Sequence, residues 1–285
     1  MTFATVFRDD FKNTRRSYVV LGVIATLTGF VSLITYSVAE FHDDAFRALF
    51  DVSFFFFLVF PLILVPLTYL AVAGDRERGS IKHTLGLPNS RAEYVLGKYV
   101  SRTAVALGAV LASVLAALLI GLAMYDGSVD VVRFGTFAAI TGLFVASMTA
   151  IFVACSTLTS RRSRAMFGVI GLYFLLGPFW LGFLPVVSLQ SVVTSIADLL
   201  GTTLSDTTRG YISLASPTTA YLSGLEPVYD GVIGSGEYPR VTRNYAVEGS
   251  KELYQENWFN YATMTAWGVL ALAASYAKFR VAELG

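Results

Sequence analysis

Apolar and polar positions along this chain fall into long blocks. Six stretches, 17–38, 52–73, 103–124, 134–156, 165–187 and 259–277, contain no Asp, Glu, Lys, Arg or His. Each is close to the ~20 helical residues needed to cross the hydrocarbon core of a bilayer. At the chain's own 14% frequency of charged residues, roughly 18 would fall in these 131 positions by chance; none does, as bilayer burial demands, because a charge near the midplane costs several kcal/mol. A water-soluble helical bundle would carry charge on the outer face of each helix. The pattern predicts an all-α integral membrane protein with six spans in a single domain over residues 1–285. The first stretch is expected to be a retained span, since it exceeds the 7–15 residues of a leader's apolar region and follows 16 mostly polar residues.

The segments between the stretches set an orientation. With the N-terminus inside, the inner segments hold 15 Lys and Arg and the outer ones 6, four of these in the long segment 188–258. The positive-inside rule, which weighs short loops most, therefore places both termini in the cytoplasm of a cell-membrane protein. Acids divide the other way, 6 inside and 14 outside, so the net charge of +1 conceals +9 on one side and −8 on the other.

Finer features follow from spacing. Phe3, Val6, Phe7 and Phe11 recur at helical intervals among basic residues, which predicts an amphipathic helix lying in the inner interface. Pro61 and Pro66 each remove a backbone donor and are expected to kink the second span. The phenylalanines at 54–57 cover every face of that span, packed or facing lipid. Gly108, Ala112 and Ala116 form a small-residue stripe suited to close helix approach. Thr28, Ser32 and Thr35 share a face, either lining a polar path or bonding back to their own helix. In the segment 188–258, residues 189–204 read as an amphipathic interfacial or re-entrant helix. Ser216 and Pro217 mark a helix start, and 226–250 reads as an exposed loop.

Catalytic motifs are missing. There is no P-loop, no H-E-x-x-H, no C-x-x-C and no G-x-S-x-G. His42 and His83 fall on opposite sides of the membrane, and the lone Cys155 makes no intramolecular disulfide. No ionisable group lies at membrane depth for proton coupling or intramembrane hydrolysis. The expectation is a protein that is not itself an enzyme, binds no cofactor or metal, and contacts membrane lipid but no nucleic acid. A transporter of this composition would draw energy from another polypeptide. A channel, a secondary transporter and a lipid-modifying enzyme are the other classes that the composition leaves open.

The most distinctive segment is 74–102, GDRERGSIKHTLGLPNSRAEYVLGKYVSR. A short helix is expected over 78–87. Ser90, three residues before Glu93, has the spacing of a capping box that opens a helix running into the third span. Its order of Glu77, Arg78 and Gly79, then Leu85 and Leu87, then Pro88, Asn89, Ser90 and Arg91, then Leu96, Gly97 and Lys98 resembles the signature of type-2 ABC-transporter permeases. The six-span plan, with its amphipathic N-terminal helix and long outer segment before the last span, is similar to that family too, and the segment at Ser216, Pro217, Ala220 and Tyr221 resembles the proline-containing segment of its members related to the nitrous-oxide-reductase maturation permease. The chain departs from the pattern in placing Lys82 and His83 within the loop's aliphatic run.

The resemblance implies a permease, expected to be an exporter, that works with a second permease copy or a homologous one. A separate cytoplasmic ATPase would bind ATP and Mg. The 74–102 segment would be the coupling helix, with Glu77, Arg78, Gly79, Leu85, Pro88, Arg91, Gly97 and Lys98 as coupling residues. In that scheme Glu77 and Arg78 pair with ATPase charges and Gly79 allows close approach. Arg91 and Lys98 anchor the element at the membrane surface.

Overall fold

A computed structural model describes residues 3–42, 44–81, 90–125, 129–182, 188–229, 231–233 and 252–282. The described residues are helical, with no strand among them. The helices are α1 (Phe3–Arg15), α2 (Tyr18–Ala39), α3 (Ala45–Leu58), α4 (Phe60–Thr68), α5 (Ala73–Glu77), α6 (Arg91–Met124) and α7 (Val131–Leu158). They continue as α8 (Arg162–Leu176), α9 (Pro178–Leu181), α10 (Leu189–Leu199), α11 (Asp206–Leu214), α12 (Pro217–Gly224), α13 (Glu226–Tyr229) and α14 (Asn257–Val281), with a 3-10 turn at Leu253–Gln255.

Among the described residues, four stretches are long and apolar enough to cross a membrane: α2, α6, α7 and Arg162–Leu181. A fifth arises if the bent pair Ala45–Leu58 and Phe60–Glu77 counts as one span. The sixth expected stretch, 259–277, lies within the 25-residue α14. This helix is long enough, but Asn257, Asn260, four tyrosine or tryptophan rings, and Lys278 and Arg280 leave it short of the others in apolarity.

The central helix is α7, buried over most of its length between α6 and α14. A helix enclosed by others is apolar all round, which is why this one shows no polar face. On α14, Gly268 sits where a Cβ would come within 3.5 Å of Ala150 and Ser147, and the Ser147 hydroxyl donates to the Met264 carbonyl at 2.7 Å. By contrast α2 buries one stripe, Val20, Val23, Leu27, Val31 and Thr35, and exposes Leu21, Phe30, Leu33 and Tyr36. Leu111, Leu115, Leu119 and Leu122 are likewise exposed along α6. Apolar ridges this long have no place in water but suit lipid.

Several expectations change in detail. The second span bends by 42° at Val59, just before Pro61 in the first turn of α4, while Pro66 sits inside α4 without ending it. The phenylalanine run is packed: Phe56 and Phe57 are fully buried, and Phe56 meets Phe60 and Phe137 edge-on. The stripe of Gly108, Ala112 and Ala116 faces outward, with nothing within 4 Å of a Cβ at Gly108. The small face that packs is Ala106, Ala109, Ser113, Ala117 and Gly121. The Thr35 hydroxyl bonds back to the Val31 carbonyl at 2.8 Å. Stretch 165–187 is broken: α8 ends at Leu176 and α9 restarts at Pro178, which has no N–H to continue the ladder. The freed Leu176 carbonyl accepts from the Ser216 and Thr218 hydroxyls at the start of α12, where Ser216 is the N-cap. Residues 226–229 form a helical turn whose Val228 and Tyr229 are buried, because Tyr229 packs on Phe50 and donates to the Leu49 carbonyl at 3.1 Å. Residues 234–250 lie outside the described residues.

Candidate functional site

The end of the second span meets the end of α7. The Ser156 hydroxyl accepts from the Val72 and Ala73 amides at 3.1 and 3.0 Å and donates to the Tyr69 carbonyl at 2.7 Å. Arg76 reaches the Thr157 carbonyl at 3.1 Å. These bonds satisfy backbone groups that the irregular turn at 69–72 releases, and they hold α5 in place. Helix α5 stops at Glu77, and Gly79 turns the chain with φ of +72°, a conformation that glycine adopts without strain. The helix expected over 78–87 therefore does not begin at Arg78, and residues 82–89, with Leu85, Leu87 and Pro88, lie outside the described residues.

The chain re-enters at Ser90, which forms the expected capping box with Glu93 and opens α6. Tyr94, Lys98 and Arg102 then recur at intervals of four on one face of α6. Val6, Asp10 and Thr14 recur in the same way on α1, and the two faces meet. The Lys98 ammonium lies 2.8 Å from both Asp10 and Asp75. Arg102 contacts Asp10 at 3.0 Å and the Leu67 carbonyl at 3.1 Å. Asp75 also accepts from Tyr94 at 2.7 Å and from Arg78 at 2.9 Å. The result is a string of alternating sign, Arg78, Asp75, Lys98, Asp10 and Arg102, joining α5, α6 and α1. Burial pushes the Asp10 carboxyl up, but Lys98 and Arg102 beside it outweigh this and hold it below the ordinary carboxylate range.

Two further ties leave this cluster. Glu77 accepts from the Arg162 backbone amide at 2.7 Å, with the Arg162 guanidinium 3.7 Å away. It thereby caps α8, whose own N-cap residue, Arg161, supplies no side-chain bond. Arg91 donates to the carbonyls of Phe279, Arg280 and Ala282 at 2.5, 3.0 and 2.9 Å, a cation at the C-terminal end of α14. The Phe279 ring stacks on Tyr94 with both Arg76 and Arg91 within 6 Å of its centroid.

The expected coupling residues are thus placed in two ways. Glu77 and Arg78 keep 44% and 57% of their side-chain surface exposed while pairing within the chain. Arg91 and Lys98 have partners within the chain: Arg91 donates to the end of α14, and Lys98 is only 12% exposed inside the ion-pair string. Gly97 serves packing, because a Cβ there would meet Val6 Cγ1 at 2.7 Å. Asp10, Asp75, Tyr94, Arg102 and Arg162 were not singled out from the sequence. The four-residue spacings of Val6, Asp10 and Thr14 and of Tyr94, Lys98 and Arg102 were the signal that could have found most of them.

No curated protein matches the chain. A family model described as ABC-2 family transporter protein matches residues 4–284, nearly the whole length. With its apolar helices and an N-terminal helix tied to the segment between the second and third spans, the chain belongs to the ABC-2 transporter family.

Proposed function

We propose that this chain is the six-span permease subunit of an ABC exporter of the nitrous-oxide-reductase maturation type. It pairs with a second permease, and a separate cytoplasmic ATPase, which carries ATP and Mg, seats on residues 77–91. The permease hydrolyses nothing itself. Glu77, Arg78 and Gly79, with Leu85 and Pro88 in the segment that follows, form the surface that the ATPase grips. Behind it Arg91, Gly97 and Lys98 pass the displacement on.

The observation that carries the reading is the convergence of five helices on one short segment. Helices α1, α5, α6, α8 and α14 are tied there by Asp10, Asp75, Glu77, Arg91 and Lys98. A push on exposed Glu77 or Arg78 is thus delivered to the first helix, the second, third and fifth spans and the last helix. Buried charge pairs are suited to this, since they hold one arrangement rather than a range.

The test is co-expression with a candidate ABC ATPase subunit from the same genome. Glu77→Ala together with Arg78→Ala should lower ATPase co-purification and permease-dependent ATP hydrolysis at least fivefold with the fold intact. Unchanged association and hydrolysis would refute the docking assignment.

A further inference from the structure

At the end of the bundle away from the ion-pair string, α10 and α11 enclose a second feature of the chain. Tyr211 of α11 packs on Phe259, near the start of α14, whereas the charged cluster packs on Phe279 near its end. Twenty helical residues separate the two, about 30 Å at 1.5 Å per residue. Between α10, α11 and Trp180 lies a cavity of about 40 Å³, enough for several oxygen atoms.

Its walls combine one cation with neutral hydrogen-bonding groups. Arg209, Gln190, Thr194 and Ser213 line it, with Trp180 and Val193 among its apolar sides. The Arg209 Nε is buried and has no hydrogen-bond partner. Asp206, one turn earlier on α11, makes no ion pair with it among the described residues. The Trp180 indole is spent on the carbonyls of Ile212 and Ser213 at 3.0 and 3.1 Å, which fixes the wall in place. A guanidinium nitrogen that is buried and unpaired carries a desolvation cost that an anion would offset. On another face of α10, Ile196, Leu199 and Leu200 are exposed, Leu199 by 86%, an apolar surface suited to a bilayer.

We propose that this cavity is an anion site that takes a phosphate group, with Arg209 as its charged donor and Gln190 and Thr194 as neutral partners. A planar guanidinium fits phosphate by paired hydrogen bonds. The bilayer beside Leu199 offers such a group on every anionic phospholipid, and inorganic phosphate offers the same chemistry from solution. The site stands on this cavity alone and is independent of the transport reading.

The test uses the full chain in nanodiscs of phosphatidylglycerol or phosphatidylcholine, with lipid retention read by native mass spectrometry and thermal stability read with and without millimolar inorganic phosphate. Wild type should retain phosphatidylglycerol selectively or be stabilised by phosphate. Arg209→Gln should weaken that binding by roughly tenfold to a hundredfold, the usual span for a charge-assisted bond. Arg209→Lys, which keeps the charge but not the paired bonds, should fall between wild type and Arg209→Gln, which separates loss of charge from loss of fold. Retention that survives excess phosphate assigns the headgroup, and displacement by phosphate assigns the soluble ion. Equal binding of both ligands by wild type and Arg209→Gln would overturn the site.

Discussion

Val6 fills the space that a side chain on Gly97 would occupy: a Cβ at Gly97 would lie 2.7 Å from Val6 Cγ1 and 3.0 Å from Val6 Cβ. Helix α1 can lie against α6 only because position 97 has no side chain, and that approach brings Asp10 within reach of Lys98. Gly97→Ala should lift α1 and lower stability by about 1–3 kcal/mol, the usual cost of overpacking. Thermal unfolding in detergent would register this, and proteolysis within residues 3–15 should quicken. A variant with wild-type stability and protection would disprove the contact.

The Lys98 ammonium is shared between two carboxylates. Lys98→Met would leave Asp10 and Asp75 close together with one cation fewer, and removing one partner of a buried pair costs about 3–5 kcal/mol. Adding Asp10→Asn and Asp75→Asn to Lys98→Met should recover a substantial part of that loss. Strictly additive effects in a mutant cycle would mean that the three residues do not interact.

Asp10 gives the cluster a pH dependence of definite sign. Its folded pKa is lowered, so the folded state holds its ionised form more strongly than the unfolded state does. That stabilisation is fully present above the unfolded value, about 4, and is lost as pH falls through the lower folded value. The midpoint of thermal unfolding should hold steady from pH 8 to about 5 and fall below about pH 4. Asp10→Asn should start lower at pH 7 and fall less on acidification. Parallel curves for the two proteins would remove Asp10 as the source.

Arg91 connects α6 to the last helix through the carbonyls of Phe279, Arg280 and Ala282. Arg91→Ala should free the end of α14 and speed amide exchange over residues 279–282 by roughly tenfold, corresponding to about 1.5 kcal/mol of charge-assisted bonding. Core amides of α7 should stay unchanged. Arg91→Lys should restore little, since one ammonium lacks the fork that spans several carbonyls. Exchange at 279–282 equal to wild type would show that these bonds do not hold the helix end.

What could be read in advance was local. The capping box of Ser90 and Glu93, the N-cap at Ser216 and the amphipathic α1 rest on residues within one turn of each other, and each is found. Errors arose wherever a distant residue decides. Gly108 and its neighbours looked like a packing stripe, yet α2 and α7 settle on the adjacent face of α6. Residues 226–229 looked like exposed loop, yet Phe50 and Leu49, about 180 positions earlier, bury Tyr229. The pairing of Lys98 and Arg91 within the chain was not legible, because their partners stand 88 and 188 positions away.

The sequence alone determined that the chain is a helical membrane protein and where its apolar segments lie. A bilayer admits only stretches without charge whose backbone bonds close within a helix, and that is a property of each segment by itself. Only the tertiary structure decided which face of each helix packs and which charges neutralise one another. It alone showed that the segment between the second and third spans is braced by the first and last helices. Such pairings depend on three-dimensional distance and shared burial between residues remote in the chain, and no local spacing records them.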